Sequence, residues 1–190
     1  MASDTRERFL RATARLVRER GVASTGMLDV VAASGAPKGS LYFHFPGGKE
    51  QLIAEALQQT GNETCTLMKM ALDSSKTAKV GLENIFAFLG SELESSNFTV
   101  GCPMGTVAAE APALPRVRDE LRAIVSGWHA VIKSRLIAAG AKPARADDLA
   151  ELFLSIVEGA IVVAKARRSK RSLEVARKEI ARLLKTEGLT

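Results

Sequence analysis

At 190 residues the chain has room for one domain of ordinary size, or for a small head and a larger body. Hydrophobic residues make up 46% and charged residues 25%, a balance that supports a packed core and argues against wholesale disorder. No apolar run approaches the ~18 residues of a membrane span, and the opening MASDTRERFLRATARL is amphipathic and of mixed charge, with no signal-type apolar stretch. A cytoplasmic protein without membrane contact is expected.

The net charge of +6 is unevenly spread. Residues 1–50 carry 8 basic and 5 acidic side chains, residues 51–164 carry 10 and 13, and residues 165–190 carry 9 and 3. A mildly basic head suits a polyanionic partner. The basic run KARRSKR near the C-terminus falls where one helix ends and another begins, and cations favour helix C-termini. It reads as a solvated surface, not as a second polyanion site. Cys65 and Cys102 lie far apart, with no CxxC or Cys/His cluster near either. That spacing speaks against a disulfide framework and a zinc site, so no metal and no cofactor are expected.

Apolar periodicity and Gly/Pro punctuation predict about nine helices and no sheet, an all-α fold. The first helix is expected from Asp4 to Arg20, with Phe9, Thr13, Leu16 and Val17 on one face and Gly21 as its stop. The second runs from Met27 to Gly35, and the third begins at Pro37, where a missing N–H costs nothing. A long fourth helix starts at Gly48 or Lys49 and continues toward Asp73, its stripe including Leu52, Ala56, Leu57 and Leu67. The fifth covers Thr77 to Ser95, with Val80, Ile85, Phe86, Phe88, Leu89 and Leu93 as its apolar residues. The segment SSNFTVGCPMG breaks the pattern before a short helix from Met104 to Ala111. Pro112 and Pro115 open the seventh, which runs to Ala139. The eighth spans Arg145 to Ala166 and the ninth Ser172 to Lys185.

The segment Leu28 to Leu52 carries the chemistry. Val30, Val31 and Ala33 offer a compact apolar face, and Gly35 permits a sharp corner between two short helices. Leu41 and Phe45, spaced i and i+4, point inward together. Lys38, Gly39, Ser40, Tyr42, Phe43 and His44 are left facing outward or sideways, and none of them is acidic. That is the composition of a helix that reads double-stranded DNA. Lys38 suits a guanine edge or a phosphate, and Ser40 either. Gly39 lets the backbone come close, Tyr42 and His44 donate to phosphate, and Phe43 packs on a thymine methyl. Lys49 adds a phosphate contact at the start of the fourth helix, and Thr25 is expected to cap the second helix and to bond a phosphate.

With Gly35, Lys38-Gly39-Ser40-Leu41-Tyr42, His44-Phe45 and Lys49-Glu50 in place, the first ~50 residues resemble the TetR/AcrR family of bacterial regulators. Phe45-Pro46-Gly47-Gly48-Lys49-Glu50-Gln51-Leu52, the distant GCPMG at Gly101 to Gly105, and Thr25-Gly26 resemble its LmrA/YxaF-like branch. The resemblance implies a helix-turn-helix head over residues 1–50 and a ligand-binding and dimerisation body over residues 51–190. It implies a homodimer that binds near-palindromic operator DNA and pairs through its last two helices. For that interface the sequence offers Leu149, Leu152, Ile156, Ala160 and Val163 on the eighth helix, and Leu173, Ala176, Ile180 and Leu183 on the ninth.

The resemblance also implies a pocket for a small-molecule inducer of unknown identity, inside the body. Its candidates are Phe86, Phe88, Leu89, Cys102, Met104, Ile124, Trp128, Phe153 and Val157. Glu110 and Glu158 fall in apolar surroundings and suit either a cationic or hydrogen-bonding ligand or an ordinary helix-end or surface position. The leading reading is a repressor released by that ligand. A thiol sensor using Cys102 at a helix start is the alternative. An enzyme is not expected, because no nucleophile–base pattern stands out.

Overall fold

The structure is a computed structural model that describes residues 2–189. Among these residues it contains α1 (Ala2–Arg20), α2 (Met27–Ser34), α3 (Lys38–His44), α4 (Gly48–Ser74), α5 (Ala78–Ser95), α6 (Pro103–Val107), α7 (Pro115–Ala138), α8 (Pro143–Arg167) and α9 (Arg171–Thr186), with one 3-10 turn at Ala111–Ala113. The boundaries differ from the expected ones chiefly at caps. Pro37 is the N-cap of α3 rather than its first residue, and Gly35 is the left-handed C-cap of α2. The expected short helix to Ala111 stops at Val107, and the chain turns before the 3-10 segment.

The chain forms two compact units, residues 1–63 with 102–124, and residues 64–101 with 125–190. Residues 51–63 and 102–124 group with the N-terminal 50 residues in this partition.

In the first unit, Phe9, Leu10, Ala12 and Leu16 of α1 form one core with Val30, Ala36, Leu41, Phe45, Leu52 and Ala56. The Phe9 and Phe45 rings meet edge to face at 6.2 Å, and the Arg6 guanidinium lies 5.5 Å from the Phe45 centroid. Thr13 is fully buried because its hydroxyl bonds back to the Phe9 carbonyl within the helix. Gly35 adopts φ +61°, a region that costs most residues strain, and Arg8 covers it by donating to the Ser34 carbonyl at 3.0 and 2.8 Å. One guanidinium thereby closes the end of α2 and fixes α1 against the corner. Ala33, expected on the inner face, is exposed; Ala36 takes that place.

In the second unit α9 packs on both α5 and α8. Phe86 of α5 and Phe153 of α8 meet edge to face at 5.2 Å. Arg135 donates to the carbonyl of Leu72, which also accepts from the Ser75 N–H, and to that of Ser75, just past the end of α4. The KARRSKR run stays largely at the surface, as expected, with exposed polar contacts: Lys170 pairs with Glu94 at 2.9 Å and Arg168 donates to Asn97 at 2.6 Å. The Glu94 carboxylate beside Lys170 raises the ammonium's pKa. Leu67 and Val80 lie on exposed surface rather than on the buried stripes expected of them. No helix among the described residues is long and apolar enough to cross a membrane.

Candidate nucleic-acid interface

The third helix has two faces of different character. Leu41 and Phe45 are buried, as their i, i+4 spacing predicts, and they set the rotation of the helix. Lys38 and Gly39 are exposed on its first turn, and nothing lies within 4 Å of a Cβ built on Gly39. Tyr42 is 55% and Phe43 79% exposed. Large side chains held out by a rigid scaffold, with no acidic neighbour on the helix, leave both ring surface and hydroxyl for a partner. His44 is half-buried, its ring 5.2 Å from that of Phe43. The Ser40 hydroxyl donates to the Pro37 carbonyl at 2.6 Å, so it offers its lone pairs rather than its proton. Lys49, in the first turn of α4, rests its ammonium 3.3 Å from the Ala23 carbonyl and keeps further donors for an anion.

Thr25 does not fit the expected role. It is 1% exposed and its hydroxyl donates to the Gly21 carbonyl at 2.7 Å. The N-cap of α2 is Gly26, whose N–H donates to Asp29 at 3.1 Å, while Asp29 also pairs with Arg20. Thr25 holds the α1–α2 corner and presents no hydroxyl to a phosphate.

Glu110 has a structural partner that its sequence context concealed. Its carboxylate accepts from the N–H of Val22 at 3.0 Å and of Ala23 at 2.5 Å, directly after α1. Glu50 makes a matching contact, accepting from the Arg116 N–H at 2.8 Å. The segment after α6 is thereby tied to the α1–α2 corner and to the start of α4. A groove of about 670 Å³ lies there, lined by Val22, Ala23, Lys49, Glu50, Ala109, Glu110 and Pro112 to Leu114. Glu110→Ala strips two backbone donors of a charged acceptor, and water replaces it only in part. We expect a loss of about 1–3 kcal/mol in chemical denaturation, with Glu110→Gln in between.

The nine residues expected to line a pocket are divided between the two units. Cys102, Met104 and Ile124 fall in the first unit, and Phe86, Phe88, Leu89, Trp128, Phe153 and Val157 in the second. None of them lines the groove beside Glu110. Phe88 is 59% exposed and Leu89 half-buried. Ile124 is packed where a Cβ on Gly61 would come within 2.5 Å of it, a core position. Cys102 is half-buried, unbridged, and the N-cap of α6. Met104, Phe86, Trp128, Phe153 and Val157 are buried.

The interface residues divide as well. Leu149, Ala160, Leu173, Ala176 and Ile180 are buried inside their own unit, so they have almost no surface left for a second chain. Leu152 and Val163 are exposed, and Ile156 and Leu183 half-buried. Val162 and Val175, which the periodicity did not single out, are exposed to a similar or greater degree. Sequence periodicity finds an apolar stripe without telling which neighbour covers it.

A buried anchor pair, a left-handed glycine corner and a short helix with an uncommitted polar and aromatic face together define a helix-turn-helix, DNA-binding regulator. The pattern of bacterial regulatory proteins of the tetR family matches residues 9–56, and that of the transcriptional regulator LmrA/YxaF-like C-terminal domain matches residues 78–179. The chain belongs to the TetR family, in its LmrA/YxaF-like branch. It is 35% identical to an HTH-type transcriptional regulator of Mycobacterium tuberculosis over 96% of this chain and 95% of that one. It is 30% identical to the HTH-type regulator YxaF of Bacillus subtilis over 97% of each. Its fold matches a TetR transcriptional regulator from Legionella pneumophila with a TM-score of 0.85 at 21% identity, covering 93% of this chain and 95% of that one. These relatives are transcriptional regulators.

Proposed function

We propose that this chain is a cytoplasmic homodimeric repressor, released from its operator by a small molecule. The observation that carries the DNA reading is the outer face of α3, where Lys38, Tyr42 and Phe43 are exposed on a helix whose inner face is locked. Lys38, Gly39, Ser40, Tyr42, Phe43, His44 and Lys49 are the proposed contacts; Thr25 is left out. One such helix buries too little to select a site among a genome's competitors. Two of them, one from each subunit, would read half-sites about one helical turn apart.

The outward residues of α8, Leu152, Ile156 and Val163, support pairing through that helix. A double substitution Leu152→Glu and Val163→Glu is expected to convert the dimer to a 20.3 kDa monomer in light scattering. A variant that stays dimeric rules out this face.

The ligand site is proposed among interior side chains of the second unit, led by Trp128 and Phe153. A ligand acts only through different affinity for the DNA-bound and released conformers. The segment 102–124 is continuous in sequence with the second unit at both ends and is held to the head by Glu110 and Glu50. That supports it, together with α4, as the route of the change.

The test begins with a duplex that the wild-type chain selects from a random DNA pool. Aromatic and cationic compounds are then screened for raising the melting temperature, and each hit is added to the complex. Release by hits supports the reading; stabilising hits that leave the complex intact would sink ligand control while sparing DNA binding.

A further inference from the structure

The glycine pair Gly47-Gly48 at the junction of α3 and α4 has a neighbour from outside the head. A Cβ built on Gly47 would lie 3.0 Å from Nη1 of Arg116, the second residue of α7, and 2.9 Å from Oε1 of Gln51. Gln51 is engaged, accepting from the Gly47 N–H at 2.7 Å. The Arg116 backbone is fixed by its N–H bond to Glu50. Its guanidinium makes no side-chain hydrogen bond and no ion pair among the described residues, and the residue is exposed. The contrast with Arg8 is informative. Both guanidinia lie against a glycine at a turn of the head, yet Arg8 spends its donors on the Ser34 carbonyl, and Arg116 spends none on the described residues.

The turn that Arg116 covers directly follows the buried anchor Phe45 and directly precedes Lys49. The cation therefore stands between the end of the recognition helix and the lysine already proposed to meet a phosphate. The nearby Glu50 carboxylate is occupied by the Arg116 backbone, and among the described residues it forms no ion pair with the guanidinium. A planar fork with free N–H donors suits a phosphate better than it suits a single carbonyl.

We infer that Arg116 is a DNA-backbone contact supplied to the head by α7, with Gly47 leaving the space that its guanidinium occupies. The inference rests on the proposed DNA face. A phosphate contact from this position adds affinity without reading sequence. It also makes the grip on DNA depend on where the segment 102–124 is held.

The experiment uses the duplex selected by the wild-type chain and measures fluorescence anisotropy across a series of salt concentrations. Each phosphate contact contributes about 0.9 to the slope of log K against log salt. Arg116→Ala is expected to weaken binding roughly 3- to 10-fold and to flatten that slope by nearly 2 for a dimer, at an unchanged melting temperature. Arg116→Lys should retain the slope. Arg182→Ala, which removes a charge paired with Glu179 on α9, should leave both slope and affinity as they are. An unchanged slope in Arg116→Ala overturns the inference, and so does a loss of affinity that comes with a lower melting temperature at constant slope. The two readings separate through Tyr42→Ala. If that variant loses binding while Arg116→Ala does not, only the Arg116 contact is wrong; if the wild-type chain retains no duplex at all, the DNA face fails and this contact with it.

Discussion

Tyr42→Ala is expected to weaken operator binding by roughly 100-fold or more while leaving the oligomeric state and the melting temperature unchanged. The phenol stands on the exposed face of α3 and packs into no core, so its removal opens no cavity. A hydrogen bond to a charged group is worth about 1.5–3 kcal/mol, and the proposed dimer loses two of them. Lys38→Ala should act in the same direction. Because Lys38 stands at the first turn, its loss should also relax base preference if it reads a guanine edge, and should act evenly on all sequences if it holds a phosphate. Retained binding by both variants in a gel-shift assay would remove α3 as the reading element.

Phe45→Ala should have the largest effect on stability. The ring is fully buried, packs edge to face on Phe9, and has a guanidinium over it. Truncating a buried Phe costs about 3–5 kcal/mol, which compares with a total of about 5–15 kcal/mol for a typical domain. The loss falls on the core that sets the angle of α3, so DNA binding should fail together with the head's melting transition. Denaturation followed by circular dichroism checks it, and a shift below about 1 kcal/mol would show that the anchor had been misplaced. Tyr42→Ala and Phe45→Ala thus distinguish contact from scaffold on a seven-residue helix.

The sequence made the orientation of α3 legible because two large apolar residues one turn apart can satisfy only one inward direction. The corner at Gly35 was legible for a similar reason, since few residues adopt its positive φ. Thr25 was misread because a hydroxyl near a helix start serves equally well as a cap, a phosphate ligand or a bond to its own chain, and only the fold brings the Gly21 carbonyl beneath it. Glu110 stays open between a ligand group and a surface charge in the sequence because its partners, Val22 and Ala23, are backbone amides far away in sequence. Phe88 and Leu67 show the limit of a stripe: each has the right residue type near the right spacing, yet each faces outward. The eighth helix is apolar on more than one side, and the sequence alone could not divide Leu149 from Leu152. Arg116 gave no signal at all, since nothing in PRVRDE ties it to a glycine turn far earlier in the chain.

The joining of residues 102–124 to the first unit also bears on chimera building. A graft of residues 1–50 onto a foreign body would leave the Val22 and Ala23 amides without Glu110 and the Gly47 turn without Arg116. A transplant that keeps the head's own grip on DNA would have to carry two separated stretches, so recombination within this family should tolerate exchanged heads best when the partner body already has an acid and an arginine at matching places.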